Sequence, residues 1–138
     1  MKAELQEQLL SHFPWARPIS GRESLWSKYG FSIGDGWYDL IENLFSEIEV
    51  VYRVKGREVD LEIVQIKERF GVLKVYFYGG LDELYELAHK YEELSLSVCY
   101  DCGGQGQHRR IGFWWITMCD NCEDNRIASA NRKLNGRE

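Results

Sequence analysis

The chain has 138 residues and a mass of 16.2 kDa, the size of one domain able to bury a core without covalent staples. Apolar residues make up 44% and aromatics 14%, which excludes a disordered chain. The net charge of −5 divides unevenly: residues 1–98 carry 11 Lys/Arg against 17 Asp/Glu and residues 99–138 carry 6 against 5, which argues against non-specific phosphate binding over a whole face.

The amino-terminal stretch AELQEQLLSHF places Leu5, Leu9 and Phe13 at helical spacing until Pro14 stops the pattern, predicting a helix near residues 3–12. Both prolines and several Gly and Ser follow, as in a long connection that Trp15, Trp26, Tyr29 and Phe31 would pin to the body. In GDGWYDLIENLFSEIEV the residues Trp37, Leu40, Ile41, Leu44, Phe45 and Ile48 recur every three or four positions. A helix over 36–48 is expected, with Ser32 or Asp35 as its cap.

Residues 58–79 change period to β-branched and aromatic runs around a charged centre ending in Gly71, the pattern of a β-hairpin. Leu81, Leu84, Leu87, Ala88, Tyr91 and Leu94 then predict a helix near 81–95 that feeds into Cys99. IGFWWITM supplies a strand, and residues 123–138 form a polar tail with a few helical turns. The expected fold is a single α+β domain: a body over 1–98 with a hairpin packed on helices, and an integral carboxy-terminal knuckle over 99–122.

All four cysteines lie in that knuckle, as Cys99-x-x-Cys102 and Cys119-x-x-Cys122 with 16 residues between the pairs. Two such turns facing each other build the tetrahedron that Zn²⁺ prefers, and the spacing suits a zinc ribbon or knuckle. Four thiolates close the coordination sphere, so the expected Zn²⁺ is structural and leaves no place for a catalytic water. A thiol redox pair is the rival, and two pairs at this spacing fit it poorly. His108, beside two arginines in what reads as a loop, is expected to be solvated or to stand behind the ligands.

Two other segments carry recognition chemistry. IKERFG concentrates Lys67, Glu68 and Arg69 beside Phe70, either a solvated hairpin end or a recognition edge with an aromatic anchor. Arg109, Arg110 and Trp114, with Arg126, Arg132, Lys133 and Arg137 beyond, would serve a nucleic-acid-binding ribbon. Trp114 and Trp115 are adjacent, so a strand would point them to opposite faces and at least one should pack on the knuckle. The phosphate-loop, nucleophile-elbow and metalloprotease signatures are lacking, and His12, His89 and His108 are isolated, which argues against an enzyme.

The sequence has no run of about 18 apolar residues that could span a membrane. It also lacks a signal-peptide core, so a cytoplasmic protein with reduced thiols is expected.

The succession GDGWYDLIENL, VVYRVKGREVDLEIVQIKERFGVLKVYFYGG, SLSVCYDCGGQG and WWITMCDNC, over residues 33–122, resembles a family of small uncharacterised proteins from bacteriophages, prophages and bacterial genomes. The resemblance implies a structural zinc role for Cys99, Cys102 and Cys119, with a His replacing the last ligand in part of the family, where this chain has Cys122. It brings no established activity. A phage setting implies a host cytoplasm and a protein that binds a host protein, such as an enzyme or defence component, with nucleic acid as the alternative partner.

Overall fold

The computed structural model describes residues 1–135, and Arg137 with the end of the expected tail lies outside them. Ten main elements follow in order: α1 (Ala3–His12), α2 (Leu25–Tyr29), β1 (Phe31–Ser32), α3 (Tyr38–Val54), β2 (Glu62–Arg69), β3 (Val72–Tyr78), α4 (Glu83–Leu94), β4 (Gln107–Ile111), β5 (Trp114–Met118) and α5 (Asp120–Asn135). The fold is α+β, as expected. None of the described helices is long and apolar enough to cross a membrane.

The expected hairpin is β2–β3, and it is part of a three-stranded sheet, because β1 pairs in parallel with β2 through Phe31↔Ile66 and Ser32↔Lys67. Two residues cannot announce a strand by alternation, so β1 was hidden inside the aromatic connection. One sheet face turns Ile66, Leu73, Val75 and Phe77 into the core, against Ile41, Leu44, Phe45 and Ile48 of α3 and Leu84, Ala88 and Tyr91 of α4. Trp37 is fully buried among them and donates its indole N–H to the Val98 carbonyl at 2.9 Å. Rings of the connection close the far side, with Trp26 edge-on to Phe31 at 4.8 Å and Phe13 edge-on to Phe45 at 5.4 Å.

The β3 edge is covered instead of solvated. Leu73 N–H donates to the Ser95 hydroxyl at 3.0 Å and Val75 N–H to the Glu92 carboxylate at 3.4 Å. An edge whose amides are taken by the end of a helix cannot template another strand through them.

Two expectations are corrected. Neither Ser32 nor Asp35 caps α3: a 3-10 turn, Asp35–Trp37, leads into the helix, and Asp35 instead accepts the Lys2 backbone N–H at 2.8 Å. IGFWWITM is not one strand, because the chain reverses at Gly112–Phe113 and pairs β4 with β5 from Ile111↔Trp114 to Gln107↔Met118. The polar tail is helical over its described part, as expected, and α5 begins inside the second cysteine pair.

The β2–β3 turn is a two-residue loop, Phe70–Gly71, between Arg69 and Val72. Both residues have positive φ, 53° and 79°, the geometry of a type I′ hairpin turn. Glycine enters that region freely, whereas phenylalanine is strained there by roughly 1–3 kcal/mol. The Glu68 carboxylate helps hold the turn by accepting the Gly71 N–H.

Phe70→Asn is therefore expected to raise unfolding stability by about 1 kcal/mol in urea titration, since asparagine tolerates the left-handed region. Gly71→Ala is expected to destabilise, because its new Cβ would lie 2.8 Å from the Ile116 backbone.

Candidate metal centre

The four cysteines come together as the sequence spacing predicts. Their sulfurs all lie within 4.8 Å of one another, and Cys102 and Cys119 are 3.8 Å apart. A tetrahedron of thiolates about 2.3 Å from a metal has edges of about 3.8 Å, so this donor set fits a tetrahedral S₄ ion such as zinc or iron.

Each pair is built differently. Cys99 and Cys102 lie in a loop after α4 that returns on itself through Gly103 N–H to Cys99 carbonyl at 3.0 Å and Cys99 N–H to Gly104 carbonyl at 2.8 Å. Cys119 precedes α5, and Cys122 lies in its first turn. Backbone amides point at sulfur in both: Gly104 N–H to Cys102 and Cys122 N–H to Cys119, each at 3.4 Å. Such donors stabilise the thiolate that a metal requires.

Burial pushes the Cys99 thiol up, yet backbone hydrogen bonds from Cys102, Cys119 and Asp101 outweigh it and bring it down to about 7. For Cys122, burial and then the neighbouring thiols drive the value far up. The Gly104 amide pulls Cys102 down, but hydrogen bonds shared with Cys99 and Cys119 leave it raised. Four sulfurs this close cannot all ionise without a cation among them. Cys99 and Cys122 are buried with Met118, so a small apolar wall shields that side, while Cys102 is exposed.

The glycines of GDGWYDL belong to this centre. Gly36 N–H donates to the Tyr100 carbonyl at 3.0 Å, and a Cβ on Gly36 would lie 2.2 Å from the Cys99 carbonyl oxygen. A Cβ on Gly34 would likewise lie 2.2 Å from the Tyr100 carbonyl oxygen. Both glycines are small because the first knuckle's backbone presses on them, a long-range cause that no local pattern carries.

The hairpin turn docks on the same module from another side. Thr117, buried, donates its hydroxyl to the Gly71 carbonyl at 2.7 Å, and the His108 Nε2–H donates to the Phe70 carbonyl, also at 2.7 Å. His108 therefore sits in β4 and not in a loop, and its ring stacks on Trp115 at 4.9 Å. It is not one of the four clustered ligands.

The expected partner-binding residues divide by strand parity. Arg109 faces α5, where Asp120 accepts at 2.8 Å and Glu123 closes a second ion pair, so this arginine is a brace for the knuckle. Arg110 points the other way, beside Trp115, its side chain hydrogen-bonded among the described residues only to the Gly112 carbonyl. Trp114 is 78% exposed and shares a cleft of about 200 Å³ with Glu68, Tyr100, Ile116 and Arg126. Arg126 is held by Asp101 at 2.7 Å, and Arg132 bonds Ser129.

On the hairpin, Lys67 lies over the Tyr76 ring at 5.7 Å and Arg69 over the Phe70 ring at 5.4 Å. Phe70 itself is 65% exposed. The two segments that looked separate in sequence thus meet at one end of the molecule. Sequence reasoning missed His108 and Trp115 as a pair and Tyr100 as the knuckle residue against α3; a hairpin turn read at Gly112 would have exposed the parity of Arg109 and Arg110.

No family model, curated protein or solved structure matches this chain.

Gly36→Ala is expected to cost several kcal/mol or abolish folding, since a Cβ must displace backbone and not a flexible side-chain end. Gly56→Ala, where a Cβ meets open space but φ is 65°, should cost only about 1 kcal/mol by thermal or urea unfolding.

Proposed function

We propose that this chain is a non-enzymatic interaction protein whose fold is stabilised by structural Zn²⁺ held by Cys99, Cys102, Cys119 and Cys122. The observation that carries the reading is the closed set of four sulfurs, one of them deep against Met118. Such a set offers a metal complete tetrahedral coordination, so the ion organises backbone and leaves no open position for substrate or activated water. Zinc supplies no redox step and binds with the folding of its site.

What the ion organises is a surface, not a pocket. The knuckle fixes β4–β5, and β4–β5 fixes the β2–β3 turn through Thr117 and His108, leaving Phe70, Phe113, Trp114 and Trp115 exposed at one end. Exposed rings grouped in this way are the usual mark of a recognition face. The phage-type resemblance makes the setting a host cytoplasm and the partner a host macromolecule, with a host protein and nucleic acid as the two classes.

Metal analysis of the purified chain tests this directly. One zinc per chain is expected, and chelation should lower the melting temperature and erase near-ultraviolet signals from the tryptophans. Cys99→Ser and Cys119→Ser should each lower zinc content and stability. Zinc remaining near one per chain with folding unchanged in both variants would refute the ligand assignment.

A further inference from the structure

The exposed β2–β3 turn and one face of β4–β5 form a strip in which two arginines flank a run of rings. Arg69 lies over Phe70 at 5.4 Å, His108 bonds the Phe70 carbonyl at 2.7 Å, and His108 stacks on Trp115 at 4.9 Å with 18° between planes. Arg110 is the cross-strand partner of Trp115. On the β2–β3 side the strip continues as Lys67 over Tyr76. Among the described residues neither Arg69 nor Arg110 has a carboxylate partner. These are free cations on a chain whose net charge is −5.

One acid, Glu68, stands beside the strip, lining a cleft with Trp114 and Trp115. The Glu68 carboxylate accepts the Gly71 N–H, and Asp120 and Glu123 are taken by Arg109 across the pleat. Arg69 and Arg110 thus bring two cations, unpaired among the described residues, to the strip against the single carboxylate of Glu68.

We infer that this strip, Arg69–Phe70–His108–Trp115–Arg110, binds single-stranded nucleic acid, the bases stacking on Phe70 and Trp115 and the phosphates meeting Arg69 and Arg110. Base faces stack on aromatic rings without regard to sequence, and the guanidinium groups that flank the rings can meet the backbone phosphates on either side of the stacked bases. Duplex is disfavoured, because its bases are already stacked and its acidic rails would meet the −5 body over a wider front. The inference rests on the reading of the chain as a binding protein and names the chemistry of its partner.

Phe70 allows function to be separated from folding. Replacing it with Asn relieves backbone strain at φ 53° while removing a stacking ring, so stability and binding should move in opposite directions.

The test is fluorescence anisotropy of a labelled oligothymidylate of about 12 nucleotides against the zinc-loaded full chain. Metal content and melting temperature are recorded on every sample. Trp115→Ala and Phe70→Asn should each weaken binding by about tenfold, the second while melting higher than the parent. Affinity should fall with salt, and the double variant Arg69→Ala, Arg110→Ala should reduce the log–log slope by about 1.4.

A folded, zinc-loaded chain that shows no anisotropy change, or whose affinity is indifferent to these variants, overturns the inference while leaving the zinc-stabilised reading intact. Equal binding to anionic phosphatidylserine vesicles with the same variant pattern, or displacement of the oligonucleotide by neither salt nor unlabelled strand, would also overturn it in favour of another partner. A chain without zinc, folded all the same, sinks the earlier reading instead.

Discussion

The backbone of the first knuckle pressed against Gly36 is the contact on which the rest of the molecule is arranged. At that point the Cys99 carbonyl oxygen occupies the space where any other residue's Cβ would stand, and Gly36 N–H closes a hydrogen bond to Tyr100. The entry to α3 and the loop after α4 are thereby fixed to each other by main chain, across the 62 residues of sequence between Gly36 and Cys99. The Trp37 indole, bonded to the Val98 carbonyl, extends the same seam into the large core. Main-chain contacts of this kind tolerate little displacement, because no rotamer can yield.

Metal chemistry and packing then divide the work. The body has its own core of helices on a three-stranded sheet and does not depend on sulfur for its apolar burial. Among the described residues the apolar cluster of the knuckle module has only Met118 and Ile116 beside the cysteines, too little to order two strands and a helix by itself. On the reading proposed above, a coordinated ion would replace the missing core there, as in a small structural site. From β4–β5, Thr117 and His108 carry order to the Phe70–Gly71 turn, and so to the exposed strip. The strained φ of Phe70 makes sense in this light: the turn keeps a ring at its tip where glycine or asparagine would sit more comfortably.

Much of this was legible in the residues, and the reasons differ by element. The cysteine spacing carried the site because a two-residue interval is itself the geometry of a knuckle turn. Helices α1, α3 and α4 followed from period 3.6 in Leu, Ile and aromatic residues, and β2–β3 from the change to alternation. Helix α5 was legible only as a few turns in the polar tail, and its start at Asp120 was missed, because almost none of its surface is buried and it has little apolar stripe to show. The β4–β5 turn was hidden because Gly112 sits inside an otherwise continuous β-forming run. Gly34 and Gly36 carried no legible reason at all, since what excludes a side chain there is a loop more than 60 residues away. The partition of Arg109 from Arg110 needed only strand parity, once the strand was placed.

Amide hydrogen exchange with zinc present and after chelation is the measurement that bears most directly on the knuckle as organiser. Loss of zinc should expose together the amides of Gly36, Tyr100 and Gly103, which bond across or within the knuckle. Gly71, whose carbonyl is held by Thr117, should lose protection with them. The amides of α3 beyond its first turn, resting on the larger core, should keep theirs. If exchange rises only between Cys99 and Cys122 while Gly36 and Gly71 stay protected, the ion merely tidies a local loop and the account of the fold given above is wrong.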